Sequence, residues 1–153
     1  MELAVDEFII NWHLSNINDK KQTAESIKRL VNKKCHRLVF DYAYLNRIAE
    51  KLGDIARTRK GDTYVTLVLV KRLQMLVYNS SKVRTCEGIH VEELGLIRDQ
   101  LDRLVIKSAL CVQGEKKLLI TTDSDLIEKA KTFEKYGVKI LTPSEAEEIL
   151  LSS

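Results

Sequence analysis

Short apolar segments alternate with longer segments of helical periodicity along the whole chain. Segments long enough for a strand, most of them apolar, occur at residues 2–6, 37–40, 82–86, 118–120 and 138–141. The segments between them have the periodicity of helices. Such helices would provide the crossover connections that parallel strands need. The pattern predicts an α/β protein, a three-layer α/β/α sandwich with a central, mainly parallel sheet of about five strands. We expect one domain covering residues 1–153, as the length also suggests.

The predicted helices follow from apolar residues at three- and four-residue spacing. They begin near residues 8, 18, 42, 64, 91, 126 and 143. Gly53 is a plausible end for the third, and Gly95 is a possible interruption of the fifth, which runs to Val112. The segment 64–77 is rich in valine and threonine, which favours a strand, but its length favours a buried helix. Pro143 suits the first turn of the last helix.

Composition narrows the class of protein. No apolar run reaches membrane-spanning length, and the acidic start does not resemble a secretory signal. Cys35, Cys86 and Cys111 are odd in number and widely spaced, so they predict buried thiols in a reducing, cytoplasmic environment. The net charge of +3 permits a nucleic-acid partner without requiring one.

The most informative stretch is residues 118–126, where an apolar run ends in two threonines and is followed by Asp123 and Asp125. Ligands of open α/β sheets bind at the carboxyl ends of the strands. Asp6 ends the first strand in the same way. A second interpretation is structural: Asp123 or Ser124 caps the next helix and Asp125 complements its dipole.

Several carboxylates at one edge of a sheet repel one another unless they share a proton or a cation. Asp102, within a predicted helix, is a third candidate, although a lone helical aspartate usually faces solvent. Carboxylate oxygens suit a hard divalent ion such as Mg²⁺ or Mn²⁺. Such an ion lowers the pKa of a water molecule and stabilises charge on a phosphate.

These segments resemble the PIN domain, a family of metal-dependent ribonucleases that includes many toxins of toxin–antitoxin pairs. The resemblance covers nearly the whole chain. It starts with the first two strands, each ending in an acid. Its most specific part pairs an aspartate seven residues before an alanine, Asp102 and Ala109, with a strand ending in Thr-x-Asp-x-Asp-Leu, residues 121–126. Pro143 in the last unit also fits.

The resemblance implies an endoribonuclease that hydrolyses RNA phosphodiester bonds with Mg²⁺ or Mn²⁺. Asp6, Asp102 and Asp123 match the metal-binding, catalytic aspartates of the family. Asp125 matches a frequent additional acid at the metal site, and Thr121 matches the hydroxyl residue that orients it. The family also implies a homodimer and an antitoxin as a protein partner.

The chain departs from the family at the helix after the second strand. The usual glutamate would fall at Asn46 or Arg47, neither of which is acidic. Asp41 and Glu50 are candidate substitutes. The missing acid favours an alternative function, a catalytically weak or inactive PIN-like module that binds RNA or a protein.

Basic residues offer a weaker indication of RNA binding. Arg57, Arg59 and Lys60, with Lys71 and Arg72, could contact phosphates, although a solvated loop is the commoner explanation for such a run. The three histidines have no spacing typical of a ligand set, and we expect them at the surface or in ordinary hydrogen bonds.

Overall fold

The computed structural model describes residues 1–58 and 64–153, without the side chains of residues 64–69. Arg59 and Lys60 therefore lie outside the described residues. The strands are β1 (Glu2–Val5), β2 (Arg37–Asp41), β3 (Val83–Cys86), β4 (Lys117–Ile120) and β5 (Val138–Leu141). The helices are α1 (Phe8–His13), α2 (Asn18–Lys33), α3 (Tyr42–Thr58), α4 (Tyr64–Val77), α5 (Gln100–Leu110), α6 (Ser124–Glu128), α7 (Ala130–Glu134) and α8 (Pro143–Ser152).

The strands form one parallel sheet in the order β3-β2-β1-β4-β5. β1 lies at its centre, with Leu3 opposite Leu38 of β2 and Leu118 of β4. Helices cover the sheet, so the predicted α/β/α sandwich with a parallel sheet is confirmed. Because all strands run in the same direction, the residues that follow β1 and β4 emerge side by side at one edge.

Burial on both faces explains why the central strands are almost purely apolar. Leu3 and Ala4 of β1 and Leu119 of β4 are fully buried. Strands covered by helices on both sides have no solvent face on which to alternate polar residues. The edge strand β3 is different, since Thr85 is exposed and Arg84 is half-buried.

The structure confirms the helix at residues 64–77 and corrects three predicted helix boundaries. Gly53 does not end α3, which continues to Thr58. The segment 91–112 is divided into a 3₁₀ turn, Glu92–Leu96, and α5. The helix predicted after Asp125 is also two short helices, which meet at Lys129. A single glycine costs a helix only about 1 kcal/mol, so packing of one buried face overrides it.

The prediction of three buried thiols was wrong. Cys86, at the end of β3, and Cys111, just after α5, form a disulfide with their Cα atoms 6.3 Å apart. Cys35 is a free, exposed thiol. The pairing was hidden because 25 residues separate the two cysteines in sequence. The cysteine pattern therefore does not support the predicted reducing environment.

No helix in the described residues combines the length and the apolar character that a bilayer-spanning segment needs.

Candidate acidic active site

The carboxyl edge of the sheet holds a cavity of about 320 Å³. Its lining residues come from the segments that follow β1 and β4, from α1 and from the first turn of α5. They are Asp6, Glu7, Phe8, Asn11, Leu101, Asp102, Thr122, Asp123 and Ser124. Three aspartates predicted from distant parts of the sequence thus line a single cavity.

Asp6 is the most firmly held of these acids. Its backbone N–H continues the sheet by donating to the carbonyl of Ile120 at 2.9 Å. The Thr121 hydroxyl donates to its Oδ2 at 2.7 Å, and the Tyr44 hydroxyl approaches Oδ1 at 3.4 Å. The carboxylate is therefore fixed by residues of β4 and α3, which limits its rotamers.

Thr121 connects Asp6 with Asp123 through its hydroxyl group. Its side chain is fully buried and bridges the ends of the two central strands. While its hydroxyl donates to Asp6, the same oxygen accepts from the backbone N–H of Asp123 at 3.0 Å. One hydroxyl therefore sets the position of two of the three aspartates.

Burial raises the pKa of Asp6 above its ordinary value of 3.8, and the hydrogen bond from Thr121 opposes that change. The charges of Glu7 and Asp123 raise it further. Burial also raises the pKa of Tyr44 well above its ordinary range, with the charge of Asp6 as the next cause. Tyr44 therefore stays a neutral hydrogen-bond donor beneath the carboxylate.

Asp102 lies in the first turn of α5. The side chain of Asp99 caps this helix by accepting from the backbone N–H groups of Leu101 and Asp102. Burial raises the pKa of Asp102 to about 6, and the charges of Asp123, Asp99, Asp6 and Asp125 add to the effect. The other acids thus reach Asp102 electrostatically, as a shared site requires.

Asp123 caps a helix and also lines the cavity. Its Oδ1 accepts from the backbone N–H of Leu126 at 3.1 Å and so caps α6, yet the residue also lines the cavity. Asp125 is exposed in the first turn of α6 and is not among the lining residues. It influences the site through its charge on Asp102.

Neither substitute acid lines the cavity. Asp41 is buried, and its Oδ1 accepts from the backbone N–H of Ala43 at the start of α3. Glu50 is exposed, 3.7 Å from Arg47. The residue that sequence reasoning missed is Glu7, which lines the cavity and pairs with Lys51 at 3.1 Å. The sequence could have indicated Glu7, because this residue directly follows Asp6 at the end of β1.

The chemistry of this donor set suits a hard divalent cation, since carboxylate oxygens predominate and repel one another. The arrangement is nevertheless open. In the parts of the chain that are described, no three Asp, Glu, His or Cys side chains are grouped closely enough to hold a metal ion as they stand. The fit therefore rests on the kind of donor and on the shared cavity.

Arg57 and the three histidines lie outside the acidic cavity. Arg57 is exposed in the last turn of α3 and pairs with Asp54. His13 is buried, with Nδ1 2.8 Å from the carbonyl of Ile9, and His36 is buried with Nδ1 3.3 Å from the terminal amine. His90 is exposed. None of the three histidines lines the acidic cavity.

Comparison with known proteins gave no relative: no protein-family model, no curated protein and no solved structure matches this chain.

Proposed function

We propose that the protein is a divalent-metal-dependent endoribonuclease resembling the PIN domain. The observation that carries this proposal is the meeting of Asp6, Asp102 and Asp123 around one cavity at the carboxyl edge of a parallel sheet. A purely structural role would not require acids from three separate elements to share a pocket. Burial raises the pKa of Asp102, and the charges of the other acids add to this effect; a bound cation would offset that repulsion.

The residues of the chain have distinct roles in this proposal. Asp6, Asp102 and Asp123 would hold Mg²⁺ or Mn²⁺, with Asp125 adding negative charge at the rim. Thr121 positions Asp6 by a hydrogen bond, and the Tyr44 hydroxyl donates to the same carboxylate. When bound, the ion would lower the pKa of a water molecule and offset the charge that develops on the scissile phosphate. Glu7 is the additional acid of the site in place of the missing helical glutamate.

The test is cleavage of a labelled single-stranded RNA with Mn²⁺, with Mg²⁺ and with EDTA. We expect cleavage with either ion and none with the chelator. Asp102→Asn and Asp123→Asn should each lower the rate at least about 100-fold, because each removes a ligand that would stabilise the transition state.

Glu148→Gln is the matched control, since it removes one carboxylate from an exposed position on α8. Its cleavage rate should equal that of the unchanged protein. Cleavage that persists in EDTA, or in both aspartate variants, would be incompatible with the proposed mechanism.

A second candidate function is a PIN-like module that binds RNA or a protein without cleaving it. It is favoured by the open arrangement of the acids and by the absence of an acid at Asn46 and Arg47. Tight RNA binding with no cleavage under any metal condition would select this function. The homodimer and the antitoxin partner stay predictions from the resemblance.

A further inference from the structure

A groove of about 1030 Å³ lies between α2 and α4. It shares no lining residue with the acidic site. Its walls consist of polar and basic side chains with two apolar residues, Met75 and Leu76. The lining residues are Asn18, Lys21, Gln22, Glu25, Ser26, Lys28, Arg29, Asn32, Lys33, Arg72, Met75, Leu76 and Asn79.

The charge of the groove is strongly positive. Five of the lining residues are lysine or arginine, and Glu25 is the one acid among them. Glu25 is already neutralised by Lys28, whose Nζ lies 2.9 Å from its carboxylate. Arg29 and Lys33 of α2 and Arg72 of α4 are exposed, so cations face the groove from both walls.

These features select a nucleic-acid strand as the occupant. Lysine and arginine together with Asn, Gln and Ser side chains are the groups that contact phosphate and sugar. A protein interface is depleted of charged residues at its centre, whereas this groove is lined by five cations and one acid, which favours an anionic chain as the occupant. The basic positions extend from Lys21 to Lys33, a rise of about 18 Å along α2, which is enough to contact several successive phosphates.

The course of α2 connects the groove with the acidic cavity. α1 leaves the cavity, which Phe8 and Asn11 help to line, and α2 then returns from the carboxyl edge of the sheet to the start of β2. Asn18, at the first turn of α2, lines the near end of the groove, and Lys33 lines the far end. The end of the groove at Asn18 therefore lies on the side of the sheet where the acids are.

We propose that the groove between α2 and α4 binds the phosphodiester backbone of single-stranded RNA. The choice of RNA over DNA rests on the proposed function, whereas the binding of a phosphodiester chain rests on the charge and polarity of the groove alone. The basic residues considered from sequence included Arg72, and the structure adds Lys21, Lys28, Arg29 and Lys33 of α2.

The experiment measures the Kd of a fluorescently labelled single-stranded RNA by anisotropy, in EDTA so that metal-dependent cleavage cannot occur. The test variant combines Arg29→Ala, Lys33→Ala and Arg72→Ala. The control variant combines Lys116→Ala, Lys131→Ala and Lys139→Ala, which removes the same charge from exposed positions outside the groove. Circular dichroism verifies that both variants are folded, and alanine preserves helix propensity.

We expect the test variant to weaken RNA binding at least about tenfold and to reduce the slope of log Kd against log salt by about 2, since three phosphate contacts are lost. The control should change Kd less than about twofold. Equal weakening in both variants would show that net charge, not the groove, attracts RNA and would overturn the proposal.

Two competitors define the ligand. Displacement of RNA by single-stranded DNA at equal concentration would overturn the choice of RNA, and displacement by polyglutamate of equal charge would show a site for acidic proteins instead. The outcome is independent of the nuclease test: groove-dependent binding without cleavage would refute only the catalytic proposal. Cleavage with no effect of the groove variant on Kd would refute only the groove.

Discussion

At the scale of single residues, Asp102 shows how a site of like charges opposes folding. In the folded protein its pKa is about 6, above the ordinary value of 3.8, because of burial and then of the neighbouring acids. The folded state therefore binds this proton more tightly than the unfolded state does. The stability that the protonated form contributes is lost as the pH rises through about 6, so the charged group destabilises the protein at neutral pH.

Asp102→Asn should therefore raise the free energy of unfolding at about pH 7.5 by roughly 1 kcal/mol, a value reduced from the full pKa change because water partly screens the group. Urea unfolding without divalent ions measures it. The gain should shrink at about pH 4.5, where the proton already neutralises the folded carboxyl. Glu148→Gln should show no such gain, and an equal gain at both pH values would contradict the electrostatic cause.

Individual residues also show what sequence alone can assign. Asp6 and Asp123 follow apolar strands, so their place at the carboxyl edge could be predicted from periodicity. Thr121 was identified through the family resemblance, and its two hydrogen bonds now provide a physical reason for that position. Glu7 was not among the predicted site residues, although its neighbour Asp6 fixes it at the same edge.

At the scale of elements, the strands were predictable because a strand buried on both faces of a sheet must consist of apolar residues, which gives a short, recognisable apolar run. The irregular helix boundaries were not. The segment 91–112 has one continuous apolar period, yet Asp99 starts a new helix by accepting from the backbone N–H groups of Leu101 and Asp102. A local capping hydrogen bond thus starts a separate helix within a segment whose apolar periodicity is continuous.

The link between β3 and α5 leads to a prediction about stability. The Cys86–Cys111 disulfide lies beside Arg84, whose Nη2 donates to the Cys111 carbonyl at 2.7 Å and to Glu2 at 2.7 Å. Closing a loop of this length restricts the unfolded chain, so reduction should lower the free energy of unfolding by about 3 kcal/mol.

Urea unfolding with and without a reductant measures this effect, and mass spectrometry of the alkylated, unreduced protein counts the free thiols. Cys35→Ser is the control, since it removes the exposed thiol and leaves the link intact. Reduction should lower the free energy of unfolding of this variant by the same amount as that of the unchanged protein. Alkylation of all three cysteines before reduction, with no change in stability afterwards, would contradict the link.

At the scale of the whole molecule, the site depends on strand order, which sequence could only suggest. Parallel strands were predictable from their helical connections, but the sequence around Asp6 and Asp123 does not predict that β1 and β4 are neighbours in the sheet. The observed order β3-β2-β1-β4-β5 places them together, and α5 brings Asp102 to the same cavity. The disulfide depended on the same long-range arrangement and had no comparable motif to reveal it.

This convergence predicts that divalent ions stabilise the folded protein as a whole. An ion that binds the folded state but not the unfolded chain raises the melting temperature with its concentration. Mn²⁺ should therefore raise Tm at about pH 7.5, and the shift should be smaller at about pH 5.5, where protons compete for Asp102. Differential scanning fluorimetry measures both values without reference to catalysis.

Variants separate this site from nonspecific ion binding. Asp123→Asn should remove most of the Mn²⁺-dependent shift, whereas Glu148→Gln should retain it. Asp125→Asn should retain most of it as well, because that side chain does not line the cavity and acts on Asp102 only through its charge. A shift of equal size in all three variants would mean that the ion binds outside the cavity. The three aspartates would then have no cation to offset their repulsion, and the protein would lack the metal ion that the proposed cleavage of RNA requires.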